Sequence, residues 1–274
     1  DVPGVAKTLA AQATAQALGL DFRRIQFVPD LLPGDISGSF IYDSRADSFR
    51  FRKGPIFTNL ILADEINRGT PKTQSALLEA MQEQQVTVEG QSFALDKPFM
   101  VIATQNPLEF EGTYPLPEAQ IDRFLARMSM GYPSPEAECD MLARRQARQA
   151  DAVTLSPVLS KQDFLKIQHA IETIHVNPDI HSYIVQIVAK TRADNRVQLG
   201  ASPRGSLALF KLSRSRAMMQ GRDFVTPDDV KAVAVPALAH RVLLRPELWA
   251  ERISGETVVR DALDGVPVPK AEWR

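Results

Sequence analysis

The sequence predicts an α/β domain built on a parallel sheet, followed by a helical domain. Residues 59–63 form a short, mostly apolar run that stops on two adjacent carboxylates, Asp64 and Glu65. Such a run is typical of a strand buried on both faces of a parallel sheet, and open α/β sheets bind ligands where these strands end. Near the start of the chain, Lys7 and Thr8 open an Ala-rich stretch. A Lys-Thr pair at a helix start and an acidic pair at a strand end are what Mg²⁺-dependent hydrolysis of a nucleoside triphosphate requires.

Helix-forming and strand-forming segments alternate along the first half of the chain. Residues 8–20 are rich in Ala, Leu and Gln and predict a helix. Residues 24–28 predict a strand that Pro29 closes, and residues 31–38 predict a short helix. A further helix is predicted at 70–83, and further strands at 59–63, 99–104 and 124–130. The alternation of strands and helices predicts a parallel sheet.

Two β-hairpins are predicted within the α/β domain. Residues 39–42 and 48–52 are strand-forming and flank the polar tip at residues 43–47. Residues 85–95 alternate around Glu89-Gly90, which is typical of a tight hairpin turn.

A Pro-Ser-Pro segment at residues 133–135 marks a boundary, so we expect domains at residues 1–132 and 133–274. The second domain is predicted to be helical almost throughout, with helices at 136–150, 161–174, 178–193, 206–220 and 227–239. The last helix has a strong start signal, because Thr226 can cap it and Pro227 suits its first position.

The composition argues against several classes of protein. The net charge is −1 and the isoelectric point is about 6.5, so no global basic field favours a nucleic-acid partner. No apolar run approaches the ~20 residues of a membrane span. The single cysteine, Cys139, excludes an intramolecular disulfide and suits a reducing compartment. We therefore expect a cytoplasmic protein without a membrane span.

The candidate phosphate loop consists of Pro3, Gly4, Val5, Ala6, Lys7 and Thr8. Lys7 would neutralise β- and γ-phosphate oxygens, and the Thr8 hydroxyl would bind Mg²⁺. Asp1 and Ala6 stand where the usual pattern has glycine, which the loop tolerates if Ala6 does not need a positive φ. The alternative is a helix start that matches by chance. Because a phosphate loop connects a strand to a helix, we expect a central strand N-terminal to Asp1.

The residues that follow the strands are candidates for the chemistry. Asp64 would hold Mg²⁺ through its waters, and Glu65 would polarise the attacking water as a general base. The alternative for Asp64 is a helix cap. Asn106 follows the next apolar strand, where it would orient water or simply begin a turn with Pro107.

Two arginines are candidates for contacts with phosphate. Arg123 would either pair with Asp122 or act as an arginine finger on an adjacent subunit. Arg204 precedes a predicted helix of the second domain, where it could reach phosphate. The four histidines lack acidic or cysteine partners at metal-ligand spacing and are expected to be ordinary helix residues.

Taken together and in order, these residues resemble the MoxR family of AAA+ ATPases. The segments that carry the resemblance are PGVAKT, IQFVPDLLPGDISGSFIY, GPIFTNLILADEINRGTPKTQSALLEAMQEQQVTV, FMVIATQNPLEFEGTYPLPEAQIDRF and GASPRGSLAL. The resemblance implies an AAA+ sheet with an all-α lid domain, and it implies ATP or ADP with Mg²⁺ as ligands. It implies these roles: residues 4–8 as Walker A, Asp64 and Glu65 as Walker B, Asn106 as sensor 1, Arg123 as arginine finger and Arg204 as sensor 2.

The same resemblance implies partners. Similar proteins form rings, usually hexamers, because the finger of one subunit completes the site of its neighbour. They act as chaperones that remodel partners or insert metal cofactors into them, often proteins with von Willebrand A domains. The alternative, suggested by the imperfect loop, is a nucleotide-gated scaffold that binds a partner with little hydrolysis. A nucleic-acid motor fits the net charge less well.

Overall fold

The computed structural model describes residues 2, 4–106, 112–151, 153, 155–248 and 253–270. Contacts within the chain divide it into two units. The first comprises residues 1–116 and 129–165, and the second comprises residues 117–128 and 166–274. This division does not decide the domain boundary predicted at residue 133, which stays a prediction.

The first part of the chain alternates helices and strands, as predicted. Its elements up to residue 106 are α1 (Lys7–Ala17), β1 (Phe22–Gln26), α2 (Pro33–Ser37), β2 (Gly38–Asp43), β3 (Ser48–Lys53), β4 (Leu60–Asp64), α3 (Pro71–Glu83), β5 (Gln85–Val88), β6 (Gln91–Ala94) and β7 (Met100–Ala103).

The later part is mainly helical. Its elements are α4 (Glu118–Ile121), α5 (Pro135–Arg148), α6 (Lys161–Ile171), α7 (Pro178–Ala193), β8 (Val197–Leu199), α8 (Pro203–Met219), α9 (Pro227–Leu238), β9 (Leu243–Leu244) and α10 (Gly255–Gly265). Sequence reasoning missed α10 and the β8–β9 pair. None of the helices that the structure describes has the length and apolar character that crossing a bilayer requires.

β1, β4 and β7 form a parallel sheet with β4 in the centre. Every residue of β4 is buried, as its apolar sequence predicts. Ala11 and Ala15 of α1 share a core cluster with Leu60 and Leu62 of β4. Each buried Leu side chain stabilises the fold by about 1.5–3 kcal/mol relative to exposure. The predicted parallel sheet with packed helices is confirmed.

The two predicted hairpins form separate antiparallel sheets, β2–β3 and β5–β6. At the tip of β5–β6, Glu89 and Gly90 both have positive φ, at 49° and 78°. Two successive positive φ angles are the geometry of the tight hairpin turn that this dipeptide predicts.

α7, α8 and α9 pack around one apolar core in the second unit. Each begins with a proline that follows a cap residue, respectively Asn177, Ser202 and Thr226. The core includes Ile180, Ile184, Ile187, Ala208, Leu209, Val230, Ala234 and Val259. Apart from the short β8–β9 pair and a single β-bridge between His175 and Phe224, the described residues of this unit are helical or irregular, and the predicted helical lid is confirmed.

The predicted strand at residues 124–130 is wrong, because this segment contains no strand. Backbone groups of residues 124–127 bond to groups elsewhere in the second unit, to which they themselves belong. The guanidinium of Arg241 donates to the carbonyl oxygens of Phe124 and Leu125, at 2.6 and 3.4 Å. The N–H of Arg127 donates to the carbonyl oxygen of Pro236 at 2.9 Å. These tertiary hydrogen bonds satisfy groups that a sheet would otherwise pair.

Candidate functional site

The carboxyl ends of β1, β4 and β7 lie at one edge of the sheet. The strand register pairs Gln26 with Asp64 and Ala63 with Ala103. Asp64 is the last residue of β4, and Glu65 follows it. The structure therefore positions the acidic pair where open α/β sheets bind their ligands.

The Asp64 carboxylate is buried and held by hydrogen bonds from two neighbouring strands. Arg24 of β1 donates to Oδ2 through Nε at 2.9 Å and Nη2 at 2.7 Å. The Thr104 hydroxyl, just after β7, donates to Oδ1. Burial raises the pKa of Asp64, but these bonds and the positive charge of Lys7 outweigh burial and keep the pKa below its usual range. Asp64 is therefore ionised at neutral pH.

Glu65 lies in a turn whose backbone is strained. Its φ is 55° and its ψ 49°, in the left-handed region, which costs a non-glycine residue roughly 1–2 kcal/mol. Gln26 Nε2 and Arg68 Nη1 donate to Glu65 Oε2 at 2.8 and 3.1 Å. Strain of this kind concentrates at functional sites, and both donors fix the position of the side chain.

Thr104 connects the two acidic residues. In addition to its bond to Asp64, its Oγ1 accepts a hydrogen bond from the Glu65 N–H at 2.9 Å. Thr104 and Arg24 were both missed as site residues. The available signal was that Arg24 and Gln26, two apart on β1, must share one face at a strand end, but which strand they would face depends on the register.

The candidate phosphate loop leads into α1, which begins at Lys7. Lys7 and Thr8 are half-buried, and Lys7 lies close enough to Asp64 for its charge to lower that pKa. Gly4 is exposed, with φ at 79°. Backbone N–H groups at a helix start and a nearby lysine are the groups that bind phosphate. Pro3 lies outside the described residues.

The sequence analysis expected the loop to tolerate Ala6 if this residue does not need a positive φ, and the structure does not meet that condition. Its φ is 59° and its ψ 27°, so it adopts the left-handed conformation that a glycine would adopt more readily. The replacement of glycine by alanine therefore costs this loop roughly 1–2 kcal/mol.

Asn106 follows the end of β7 at the same edge of the sheet. It is half-buried, and its role in orienting water stays a prediction. Residues 107–111, which begin with Pro107, lie outside the described residues. Lys7, Thr8, Asp64, Glu65 and Asn106 thus belong to one unit.

In the second unit, the carboxylate of Asp122 is the centre of a polar network. Arg241, whose side chain is only 2% exposed, donates to Asp122 Oδ1 at 2.7 Å. The Ser202 hydroxyl donates to Asp122 Oδ2 at 2.9 Å, and Arg204 Nη1 reaches the same oxygen at 3.4 Å. This network fixes the segment that contains Arg123 against the start of α8.

The two predicted arginines differ in their surroundings. Arg204 is half exposed and pairs with Asp122. The Nε of Arg123 is buried and has no hydrogen-bond partner among the residues that the structure describes. The sequence analysis considered a pair between Arg123 and Asp122, but Asp122 pairs with Arg241 and Arg204 instead. Arg241 was missed because its partners are distant in sequence.

Arg241→Met is expected to lower the free energy of unfolding by about 3–5 kcal/mol, because it removes the buried main partner of the Asp122 carboxylate, which is itself only 16% exposed. Urea denaturation measures this change. Arg260→Met is the matched control, because it removes an ion pair with Glu256 whose two side chains are 64% and 50% exposed. We expect less than about 1 kcal/mol for the control. Equal changes for both variants would contradict a stabilising role for Arg241.

Comparison with known proteins agrees with this fold. A family model described as "ATPase family associated with various cellular activities (AAA)" matches residues 1–126, and one described as "AAA lid domain" matches residues 189–262. A Bacillus subtilis protein named YeaC is 51% identical over 98% of this chain and 84% of its own length. Chaperone MoxR1 of Mycobacterium tuberculosis is 44% identical over 98% of this chain and 73% of its own length.

A solved structure supports the same assignment. The crystal structure of a candidate ATPase from Cytophaga hutchinsonii superposes with a TM-score of 0.90 at 42% identity, covering 98% of this chain and 84% of that one. The fold and these matches define an AAA ATPase with a helical lid. The chain belongs to the MoxR family of AAA+ ATPases.

Proposed function

We propose that this chain hydrolyses ATP with Mg²⁺, in a ring of identical subunits, and that the energy remodels a partner protein. The observation that supports this best is the ionised, buried Asp64 beside Glu65 at the end of β4, with Lys7 close by. The family membership supports ATP as the nucleotide, and the name of the Mycobacterium relative supports a chaperone role.

The groups proposed to hold a metal ion are the Asp64 carboxylate and the Thr8 hydroxyl, and oxygen ligands of these kinds fit Mg²⁺. No group of three or more His, Cys, Asp or Glu capable of holding a metal occurs among the described residues. Mg²⁺ does not need one, since it is usually bound by one or two carboxylates together with phosphate and water. Asp64 and Thr8 would hold the ion, and when bound it neutralises charge on the phosphate oxygens.

Lys7 and the backbone of residues 4–8 would bind and orient the phosphates of ATP. Glu65 would accept the proton of the attacking water or orient that water. Both described donors to its carboxylate bond Oε2, so Oε1 is positioned to accept from water without breaking either bond. Gln26 and Arg68 thereby preorganise the base.

Assembly would complete the site. In this proposal Arg123 is a finger on the nucleotide of the adjacent subunit, Arg204 contacts phosphate, and Asn106 orients water. The ring would be a hexamer, and the client would be a protein with a von Willebrand A domain or one that receives a metal cofactor. The resemblance to the family supports these finer roles.

Steady-state ATP hydrolysis across a protein dilution series, with Glu65→Gln as the blank, tests the proposal. We expect specific activity to rise with protein concentration, because sites shared between subunits form only on assembly. Activity independent of concentration would contradict a shared site, and no ATP binding would contradict the proposal altogether.

A nucleotide-gated scaffold is the second candidate function, and the imperfect loop favours it, because Asp1 and Ala6 stand where the usual phosphate-loop pattern has glycine and Ala6 adopts the left-handed conformation. A scaffold would retain a partner protein in the presence of ATP while releasing almost no phosphate. Glu65→Gln would leave that retention unchanged.

A further inference from the structure

The β2–β3 hairpin, residues 38–53, has one aromatic face and one basic face. The register places Phe40 opposite Phe51 and Tyr42 opposite Phe49. Because opposite residues of an antiparallel pair share a face and neighbours along a strand alternate, these four rings lie on one side. Arg50 and Arg52, opposite Ile41 and Ser39, lie on the other side.

The inner half of the aromatic face packs against the rest of the first unit. The ring of Phe51 stacks on that of Phe93 of β6, with centroids 4.1 Å apart and planes 13° apart. Phe57 and Phe40 contact the same Phe51 ring from two further directions, at 5.8 and 5.4 Å. These contacts fix the hairpin to β5–β6, so its outer half is held in a defined position.

The outer half of the aromatic face is exposed. Tyr42 and Phe49 contact each other edge to face at 5.5 Å, yet they are 56% and 72% exposed. Large aromatic side chains that are exposed together are typical of protein-binding surfaces, because their burial on binding is favourable and they have few rotatable bonds to order.

The hairpin carries a local excess of positive charge, which bears on the kind of partner it can bind. Four basic residues, Arg45, Arg50, Arg52 and Lys53, accompany two acidic ones, Asp43 and Asp47, although the whole chain has a net charge of −1. Asp47 accepts a hydrogen bond from the Tyr42 hydroxyl. A surface concavity is lined by these four basic side chains together with Tyr42, Phe51 and one acidic side chain, Asp43. This local excess of positive charge is complementary to an acidic segment.

The backbone of the hairpin favours an extended polypeptide over a nucleic acid. β2 and β3 pair only with each other among the described residues, so the outer edge of β3 offers backbone N–H and C=O groups to a further strand. A peptide that adds to this edge alternates its side chains between the two faces of the hairpin. The backbone of a nucleic acid lacks the alternating N–H and C=O groups that could extend this sheet.

We propose that the outer edge of the β2–β3 hairpin binds an extended segment of a partner protein in which apolar or aromatic residues alternate with Asp or Glu. The apolar residues pack on Tyr42 and Phe49, and the acidic residues pair with Arg50 and Arg52. This binding does not depend on ATP hydrolysis, so it can succeed or fail separately from the proposed ATPase activity.

Fluorescence anisotropy with a labelled peptide of alternating Val and Glu tests the proposal. We expect Phe49→Ser and Arg50→Glu each to weaken binding by about tenfold or more, because each removes a centre of the contact. Tyr132→Ser and Arg144→Glu are matched controls, since their side chains are 73% and 76% exposed outside the hairpin. We expect the controls to bind as tightly as the wild type.

A second peptide, with Lys in place of Glu, and a labelled oligothymidylate complete the experiment. We expect both to bind the wild-type protein at least about tenfold more weakly than the acidic peptide. Equal binding of the two peptides, or unchanged binding by both hairpin variants, would overturn the proposal. Stronger binding of the oligonucleotide, lost in Arg50→Glu, would overturn it in favour of a nucleic-acid surface. An unchanged urea transition of Phe49→Ser excludes misfolding as the cause.

Discussion

Glu65→Gln is expected to retain ATP binding while its rate of hydrolysis falls by roughly 10²–10⁴. Glutamine has nearly the shape of glutamate, and its amide oxygen can still accept from Gln26 and Arg68, which contact Glu65 at 2.8 and 3.1 Å. It cannot accept a proton from water. Phosphate release measures the rate, and binding of a fluorescent ATP analogue measures affinity.

Glu83→Gln is the matched control, because it makes the same change at an exposed position on α3, where we expect no loss of rate. Full turnover in Glu65→Gln would remove this residue from the chemistry. Loss of nucleotide binding together with turnover would instead indicate that Glu65 maintains the left-handed turn after β4.

The elements that sequence reasoning predicted well are those whose signal is local. The apolar sequence of β4 is sufficient to indicate burial, because a continuous apolar strand is stable only between packed layers. The β5–β6 turn is equally local, because Glu89-Gly90 supplies both positive φ angles. The acidic pair at the end of β4 could be predicted for the same reason: charges end a buried strand.

The predictions that failed, and the site residues that were missed, depend on partners that are distant in sequence. Residues 124–130 have the composition of a strand, but the buried Arg241, more than a hundred residues later, bonds to the carbonyl oxygens of that segment. The contacts of Arg24 and Thr104 with Asp64 require the strand register, which no single-sequence pattern gives. The left-handed Ala6 contradicts the local preference of alanine, so only the surrounding structure determines it.

Arg123→Ala is expected to lower the rate of hydrolysis by about 10³–10⁵ while leaving ATP binding and the urea transition nearly unchanged. An arginine finger stabilises negative charge that develops on the transferred phosphoryl group, so its loss affects turnover more than affinity. The partly buried network of Asp122, Ser202 and Arg241 fixes the backbone beside Arg123, which supports a fixed approach to a neighbouring site. Arg127→Ala, an exposed arginine on the same segment, is the matched control.

Mixing two inactive variants distinguishes a finger supplied by the adjacent subunit from one that acts on its own subunit. In a mixed ring, an Arg123→Ala subunit keeps Glu65 and receives the intact Arg123 of a Glu65→Gln neighbour, so that site regains hydrolysis. If Arg123 acted within its own subunit, every site would still lack either the arginine or the base, and the mixture would stay inactive. Recovery on mixing therefore requires both assembly and transfer of the finger between subunits, which neither variant alone can demonstrate.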